Sequence, residues 1–358
     1  MKKTLIALAA LAVVSAASAQ STVTLYGLVD VWAGAVTVDN GTNSVTNTKL
    51  DSGGVNGSRW GMKGTEDLGG GLKAIFDLQS GFSLDTGAGG QGESNSPTTT
   101  TSTLFGRSAW VGLTGGFGSV KFGRISSISY DLAGASNAVF DSALSPSTYT
   151  ARINDQGTFA KNPIANGLGN TNRLNNSIRY DSNAMSGLVL SGQIGLTENK
   201  TATTDAGAIY ALGATYTAGP IAAQFSYTTE KPTGAIADAA KFAFLGGSYN
   251  FGVATLKANV AKASNIGFVN GAADNEYQIG VDVPVSSALT LSTSYAYAKD
   301  NSTASVTNEK RTGLGLGAAY TLSKRTFVYG GLVNVTKTND GLADATTRVI
   351  ALGLQHRF

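Results

Sequence analysis

The sequence predicts an all-β chain, a closed sixteen-stranded antiparallel barrel that crosses a membrane. Three observations lead there. Apolar and polar residues alternate over segments of about ten residues, the strand period of two. The segments are even in number, sixteen, which fits a closed membrane barrel without unpaired edges. The connections between them are alternately tight and long, and a soluble sandwich has no reason to sort its loops so strictly.

The segments lie near 22–38, 56–66, 70–85, 104–114, 117–124, 173–182, 187–197, 206–218, 220–230, 240–250, 252–262, 274–284, 288–299, 310–322, 325–337 and 346–358. In the last of them Ile350, Leu352 and Leu354 share a side with His356 and Phe358. That side is expected to face lipid, with Gln355 and Arg357 toward an aqueous interior. Seven tight connections (EDLGGG, TGGFGS, SNAMSG, TAGP, YNFG, PVSS and LSKR) carry the Gly, Asn, Pro and Ser that turns need. The long ones are polar, such as NGTNSVTNTK and GAGGQGESNSPTTTTS.

Composition narrows the class further. Residues 1–19 have a basic start at Lys2 and Lys3, an apolar run, and Ala17-Ser18-Ala19 before Gln20. These are the parts of a secretory signal peptide, leaving 20–358 as the barrel domain. The formal charge is only +3, and two of the positive charges are Lys2 and Lys3, so nothing suggests nucleic acid as a partner. The absence of cysteine excludes disulfides, thiol nucleophiles and Cys-based metal sites. Forty-six glycines and six prolines suit many strands and few long helices.

Enzymatic chemistry finds little support. The single histidine, His356, lies on the lipid-facing parity, where no Ser-His-Asp arrangement can be built around it. GLGLGA at 313–318 has no helix behind it, so its glycines line one side of a strand rather than a dinucleotide. GGGLK at 69–73 lacks the ending of a phosphate loop. No enzyme activity, cofactor or metal is expected.

One connection, 125–172, is far longer than the rest. Long loops without secondary structure of their own are often functional. It is the third long loop, and a barrel of sixteen strands is too wide for its own side chains to fill. Folded inward, the loop would constrict the pore.

TVTLYGLVD, SRWGMKGTEDLGGGLKAIFDLQSGF, FGRSAWVGL, FGSVKFGR, RLNNSIRYDS and the terminal Phe358 together resemble the trimeric general-diffusion porins of Gram-negative outer membranes, nearest the β-proteobacterial branch. The resemblance spans the chain from residue 20 onward. It implies a homotrimer exported through the periplasm, set in outer-membrane lipid and lipopolysaccharide. Each barrel would have its third loop in the pore and pass ions and small hydrophilic solutes. It also implies recognition of Phe358 by the barrel-assembly machinery, beside that residue's role as an interfacial aromatic.

The resemblance places wall arginines of the constriction at Arg59, Arg107 and Arg173. Parity puts Arg59 beside Lys63, and Arg173 beside Asn175, Ser177 and Arg179, opposite Leu174. Arg107 shares its parity with Ala109 and Val111, but a lipid-facing arginine at midplane would cost about 2–4 kcal/mol, which favours the lumen. Facing acids are expected from the loop, Asp141 first, then Asp131, with Asp155 further on. More cations than acids suggests mild anion selectivity. Arg124 falls on the outer parity and is a candidate to pair with Glu93 of a neighbouring subunit. Trp32, on the parity of Leu28 and Asp30, is the best lumen-facing aromatic. A single aromatic argues against a sugar-type ladder, and long polar loops permit an adhesive role without arguing for one.

Overall fold

The computed structural model describes residues 22–89, 103–150, 172–196, 198, 200–203, 205–232, 238–303 and 308–358. Their strands are β1 (Thr22–Asp39), β2 (Ser44–Ser52), β3 (Arg59–Gly69), β4 (Leu72–Gly81), β5 (Ser108–Gly115) and β6 (Gly118–Ser126). After the third loop come β7 (Arg173–Asp181), β8 (Leu188–Leu196), β9 (Ala208–Ala218), β10 (Ile221–Lys231) and β11 (Ala240–Asn250). The barrel finishes with β12 (Thr255–Ser264), β13 (Ala273–Pro284), β14 (Leu289–Asp300), β15 (Lys310–Ser323), β16 (Thr326–Thr338) and β17 (Ala345–Arg357).

Each strand from β3 onward pairs antiparallel with the next, and β17 returns to β1 with Leu28 opposite Arg357 and Asp39 opposite Thr346. Phe358 completes this seam. Its N–H donates to the Gly27 carbonyl at 3.0 Å and its carbonyl accepts from Gly27 N–H at 3.1 Å. Closure leaves no free backbone edge, the condition for a sheet in lipid.

Seventeen strands make sixteen staves. Residues 31–39 of β1 pair with β2 and residues 22–28 pair with β3, so β2 and β3 are two halves of one interrupted stave. The sequence leads one to expect residues 40–49 in a polar loop. Residues 40–43 make the turn, but 44–49 instead extend the sheet as part of β2, where Thr37 and Thr46 join across the hairpin and Val38 pairs with Val45. The break at 53–58 turns into the lumen.

All seven tight turns form where the sequence places them. Between β3 and β4 the chain reverses on Gly69, Gly70 and Gly71, which have φ of 86°, 61° and 81°, a left-handed run that side chains resist. The outer face carries Leu212, Leu245, Ile279, Leu316, Ile350 and Leu352, all exposed. Their alternating neighbours Ala211, Phe244, Gln278, Val349 and Ala351 are buried. Apolar side chains pointing away from the protein on every side form the band that lipid covers.

The third loop is not structureless. It holds a helix, Ile128–Ala133, capped by the Ser127 hydroxyl, then single 3-10 turns at Gly134–Ser136 and Val139–Asp141, and a short helix Ser147–Thr150. These pieces lie along the inner face of the wall. Ile128 N–H donates to Gln193 on β8, Lys257 on β12 donates to the Asn137 carbonyl, and Val139 N–H donates to Ser292 on β14. Wall glycines form the seat. A Cβ at Gly213 would overlap Ile128, at Gly246 Ser136, at Gly280 Ala138, and at Gly315 the Leu144 carbonyl. The glycines of GLGLGA thus have a physical role, to let the loop lie against β15.

Two apolar cores hold the loop down. Trp32, Val139, Leu144, Tyr149, Tyr329, Val333 and Val349 form one, and Ala133 with Phe242, Phe244, Ala261 and Ala263 forms the other. Here expectation and structure differ. Trp32 does face inward, but it is 1% exposed beneath the loop and cannot meet a passing solute. Gln355 also faces inward, yet it is fully buried and donates to Asp30 rather than to pore water.

Candidate functional site

Opposite the dry seat, the walls of β3 to β7 and the start of the loop enclose a cavity of about 500 Å³. Arg59, Arg107, Lys121, Arg173 and Arg179 line it, with Asp77, Asp131 and Asp141 as its acids. Gln79, Trp110 and Tyr130 complete the polar and aromatic lining.

The three arginines expected at a constriction come together by three different routes. Arg59 opens β3 at the point where the interrupted stave resumes. Arg107 precedes β5, so the parity of Ala109 and Val111 does not govern it. Its N–H donates to the Gln79 carbonyl at 3.1 Å and its Nε to Gln79 Oε1 at 2.8 Å, which turns the guanidinium inward. Arg173 donates from Nε to the Arg107 carbonyl at 2.8 Å and lays its guanidinium over the Tyr130 ring at 5.2 Å. The loop aromatic thus gives this cation a partner by cation–π attraction.

Burial and the neighbouring charges of Arg173 and Arg59 push the Arg107 pKa down. Like charges crowded in a partly desolvated site make an opening that favours a passing anion.

Strand parity fails at one place on this wall. Asn176 has φ of 48° and the β6–β7 register shifts between Gly123 and Ile125. This bulge sends Leu174 inward, 2% exposed, where alternation from Arg173 predicts an outward side chain. It leaves Asn175 exposed. There Arg124 binds it, and Arg124 Nε also donates to the Gly106 carbonyl at 2.8 Å. Glu93, the suggested partner of Arg124, lies outside the described residues, as does Asp155.

The acids do not face the three arginines as simple pairs. Asp131 binds Arg179, which also holds Asp181 at 3.0 Å, and Asp181 in turn holds Lys121 at 3.0 Å. This alternating chain of charge joins the loop to the wall. Arg179 and Lys121 also line the cavity and were not named among the constriction residues, although both lie on the lumen parity. Asp141 accepts from Asn137 Nδ2 at 2.6 Å in the loop tip. Desolvation there pushes its pKa up, against the smaller opposing effects of Asn137 and Lys257. Val139, Phe140 and Asp141 all have positive φ, 55°, 63° and 50°, a strained backbone for residues with side chains.

Lys63 stands apart from the arginines. It lies over the Tyr26 ring at 5.1 Å and lines an adjoining cavity of about 430 Å³ that shares Asp77 and Trp110 with the first. His356 points outward, with Nδ1 2.8 Å from the Thr326 hydroxyl, and takes no part in the site. Phe358 is half-exposed at the seam, its ring lying against Gly27.

A closed barrel with an apolar outer band, a polar charged opening and an inward loop is the architecture of a membrane pore. Comparison with known proteins gives the lineage. Residues 6–340 match the family model described as Gram-negative porin, and the chain belongs to that family. An outer membrane porin protein of Bordetella pertussis is 30% identical, the alignment spanning 100% of both chains. Outer membrane porin protein 32 of Delftia acidovorans is 33% identical over 93% of this chain and 89% of its own. Among solved structures, the anion-selective porin from Comamonas acidovorans superposes with a TM-score of 0.72 at 25% identity, over 95% of this chain and 100% of that one. The protein is an outer-membrane diffusion channel and not an enzyme.

Proposed function

We propose that the channel is mildly anion-selective and that Arg59, Arg107 and Arg173 set this preference for ions and small hydrophilic solutes. The observation that carries the reading is the lining of the larger cavity, where five cations stand against three acids. A transverse field across a narrow wet gap selects by charge, and the gap width selects by size. The mechanism is physical: a hydrated anion exchanges part of its water shell for guanidinium N–H donors, and several cations close together let it pass from one to the next rather than rest at one.

The remaining features of the reading follow the family. Residues 1–19 are a signal peptide removed on export, the mature barrel works as a homotrimer among outer-membrane lipid and lipopolysaccharide, and Phe358 marks the chain for the barrel-assembly machinery. Lys63 acts as a second cationic station beside the constriction, and Asp131 as the acid that ties the loop to Arg179.

Planar-bilayer reversal potential in a KCl gradient tests the selectivity, and a cation-selective wild type would refute it. Liposome swelling with uncharged solutes of rising size separates a sieve from a substrate-specific channel or a closed adhesive barrel. A smooth fall of rate with size supports the sieve.

A further inference from the structure

Asp30 is unlike any other carboxylate described in the barrel. It is 0% exposed, and five donors converge on its two oxygens. Gly54, Val55 and Asn56 give backbone N–H groups at 3.0, 3.2 and 2.9 Å. The Tyr329 hydroxyl and Gln355 Nε2 give side-chain donors at 2.6 and 2.9 Å. None of the ion pairs among the described residues uses it. Its charge is met by a nest of successive backbone amides, as anion sites in turns are.

Its backbone is occupied as well. The Asp30 carbonyl accepts from Gly53 N–H at 2.9 Å and from the Ser58 hydroxyl at 3.1 Å. Asp30 N–H donates to Ser58 Oγ at 3.0 Å. One residue of β1 therefore ties down both ends and the middle of the 53–58 break.

The break does two further things. It carries Asn56, three residues before Arg59, into the lining of the arginine cavity. It also touches the strained loop tip, since Ala143 N–H donates to the Gly54 carbonyl at 2.6 Å. Gly54 has no room for a side chain, because a Cβ would overlap Tyr329 and Trp32. The second stave is thus opened at the height of Asp30, and the opening contacts the third loop.

We propose that Asp30 is a positioning residue for the constriction. Through the amide nest it holds 53–58 in the lumen, and through Gly54 it holds the segment of the third loop that follows Val139–Asp141. This gives the pore its fixed bore. The role is independent of the arginines' selectivity and stands or fails separately from it.

The test is Asp30→Asn, which keeps the shape but points N–H donors at N–H donors. Hydrogen-exchange mass spectrometry and single-channel recording are made on the refolded full-length mature barrel. The expected result is exchange at least ~10-fold faster both in the peptide covering 53–58 and in the peptide containing Ala143, the equivalent of ~1.4 kcal/mol of lost protection. Exchange in β16 and β17 stays unchanged. Open-channel current noise and sub-conductance visits rise with it. Tyr329→Phe removes one of the five donors and should give the same pattern more weakly, which decides the matter if Asp30→Asn does not refold. Faster exchange at 53–58 with Ala143 and the current trace at wild-type values would overturn the proposal, since Asp30 would then hold only its local turn. Wild-type exchange at both peptides would overturn it outright.

Discussion

The two sides of the lumen are made by the same alternation and yet are opposites. From β3 to β7 the inward residues are Arg59, Lys63, Asp77, Gln79, Lys121 and Arg179, and they border open cavities. From β9 through β17 to β1 many inward residues are Gly, Ala, Val, Phe or Trp, and the third loop covers them. The lesson is that "inward" in a wide barrel is not one environment. Where the wall faces water it is charged. Where it faces the loop it is packed like the core of a soluble protein.

The largest effect is expected on the dry side. Trp32→Ala removes the largest side chain of the core beneath the loop. If that core is packed like a protein interior, thermal unfolding in detergent should show a loss of ~3–5 kcal/mol. A loss below ~1 kcal/mol, the size of a surface change, would mean that the core is loose. The outer band comes next. Leu212→Arg should destabilise the barrel by about 2–4 kcal/mol if this residue meets mid-bilayer lipid. Equal stability in lipid would place it elsewhere.

The seat itself gives a smaller effect. In Gly280→Val the added Cβ would overlap Ala138 of the loop and Ser294 and the Thr293 carbonyl of the wall, and overpacking of this kind costs ~1–3 kcal/mol. Because the loop yields more easily than the barrel, limited proteolysis should cut the third loop faster while the barrel stays intact. Unchanged cleavage would mean that the loop does not rest there. The wet side gives the smallest effect, a pH dependence. The Asp141 pKa is raised, so its folded state takes up a proton before ordinary carboxylates near ~3.9 do as pH falls. The sign follows: its ionised form weakens the fold, and its contribution to stability is present at low pH and lost as pH rises through the raised value. Anion selectivity should therefore begin to rise above the ordinary carboxylate range as pH is lowered, and Asp141→Asn should remove that early rise. An identical pH profile in the variant would assign the effect to other acids.

Much of the fold was legible because alternation and turn chemistry are local. Ile350, Leu352 and Leu354 show their lipid side without any knowledge of partners, and Gly69-Gly70-Gly71 shows its turn. The site was legible only in part. Arg59 lies on a regular strand, and its parity could be read. Leu174 could not be placed, because the bulge at Asn176 is decided by the pairing of β6 with β7. Arg107 turns inward through Gln79, a residue 28 positions away. Trp32, Gln355 and Asp30 read as pore-facing, and only the folded loop and the inward break show that water never reaches them. The acids were the least legible, because their partners Arg179 and Asn137 are chosen by the path of the loop.

The most direct test of the account is the reversal potential of the refolded mature protein in a KCl gradient, wild type beside the triple variant Arg59→Ala, Arg107→Ala, Arg173→Ala. The account predicts an anion-selective wild type and a variant moved toward cations, with Asp77, Asp131 and Asp141 then dominating the lining. A variant with wild-type selectivity would contradict it and place the filter away from these arginines.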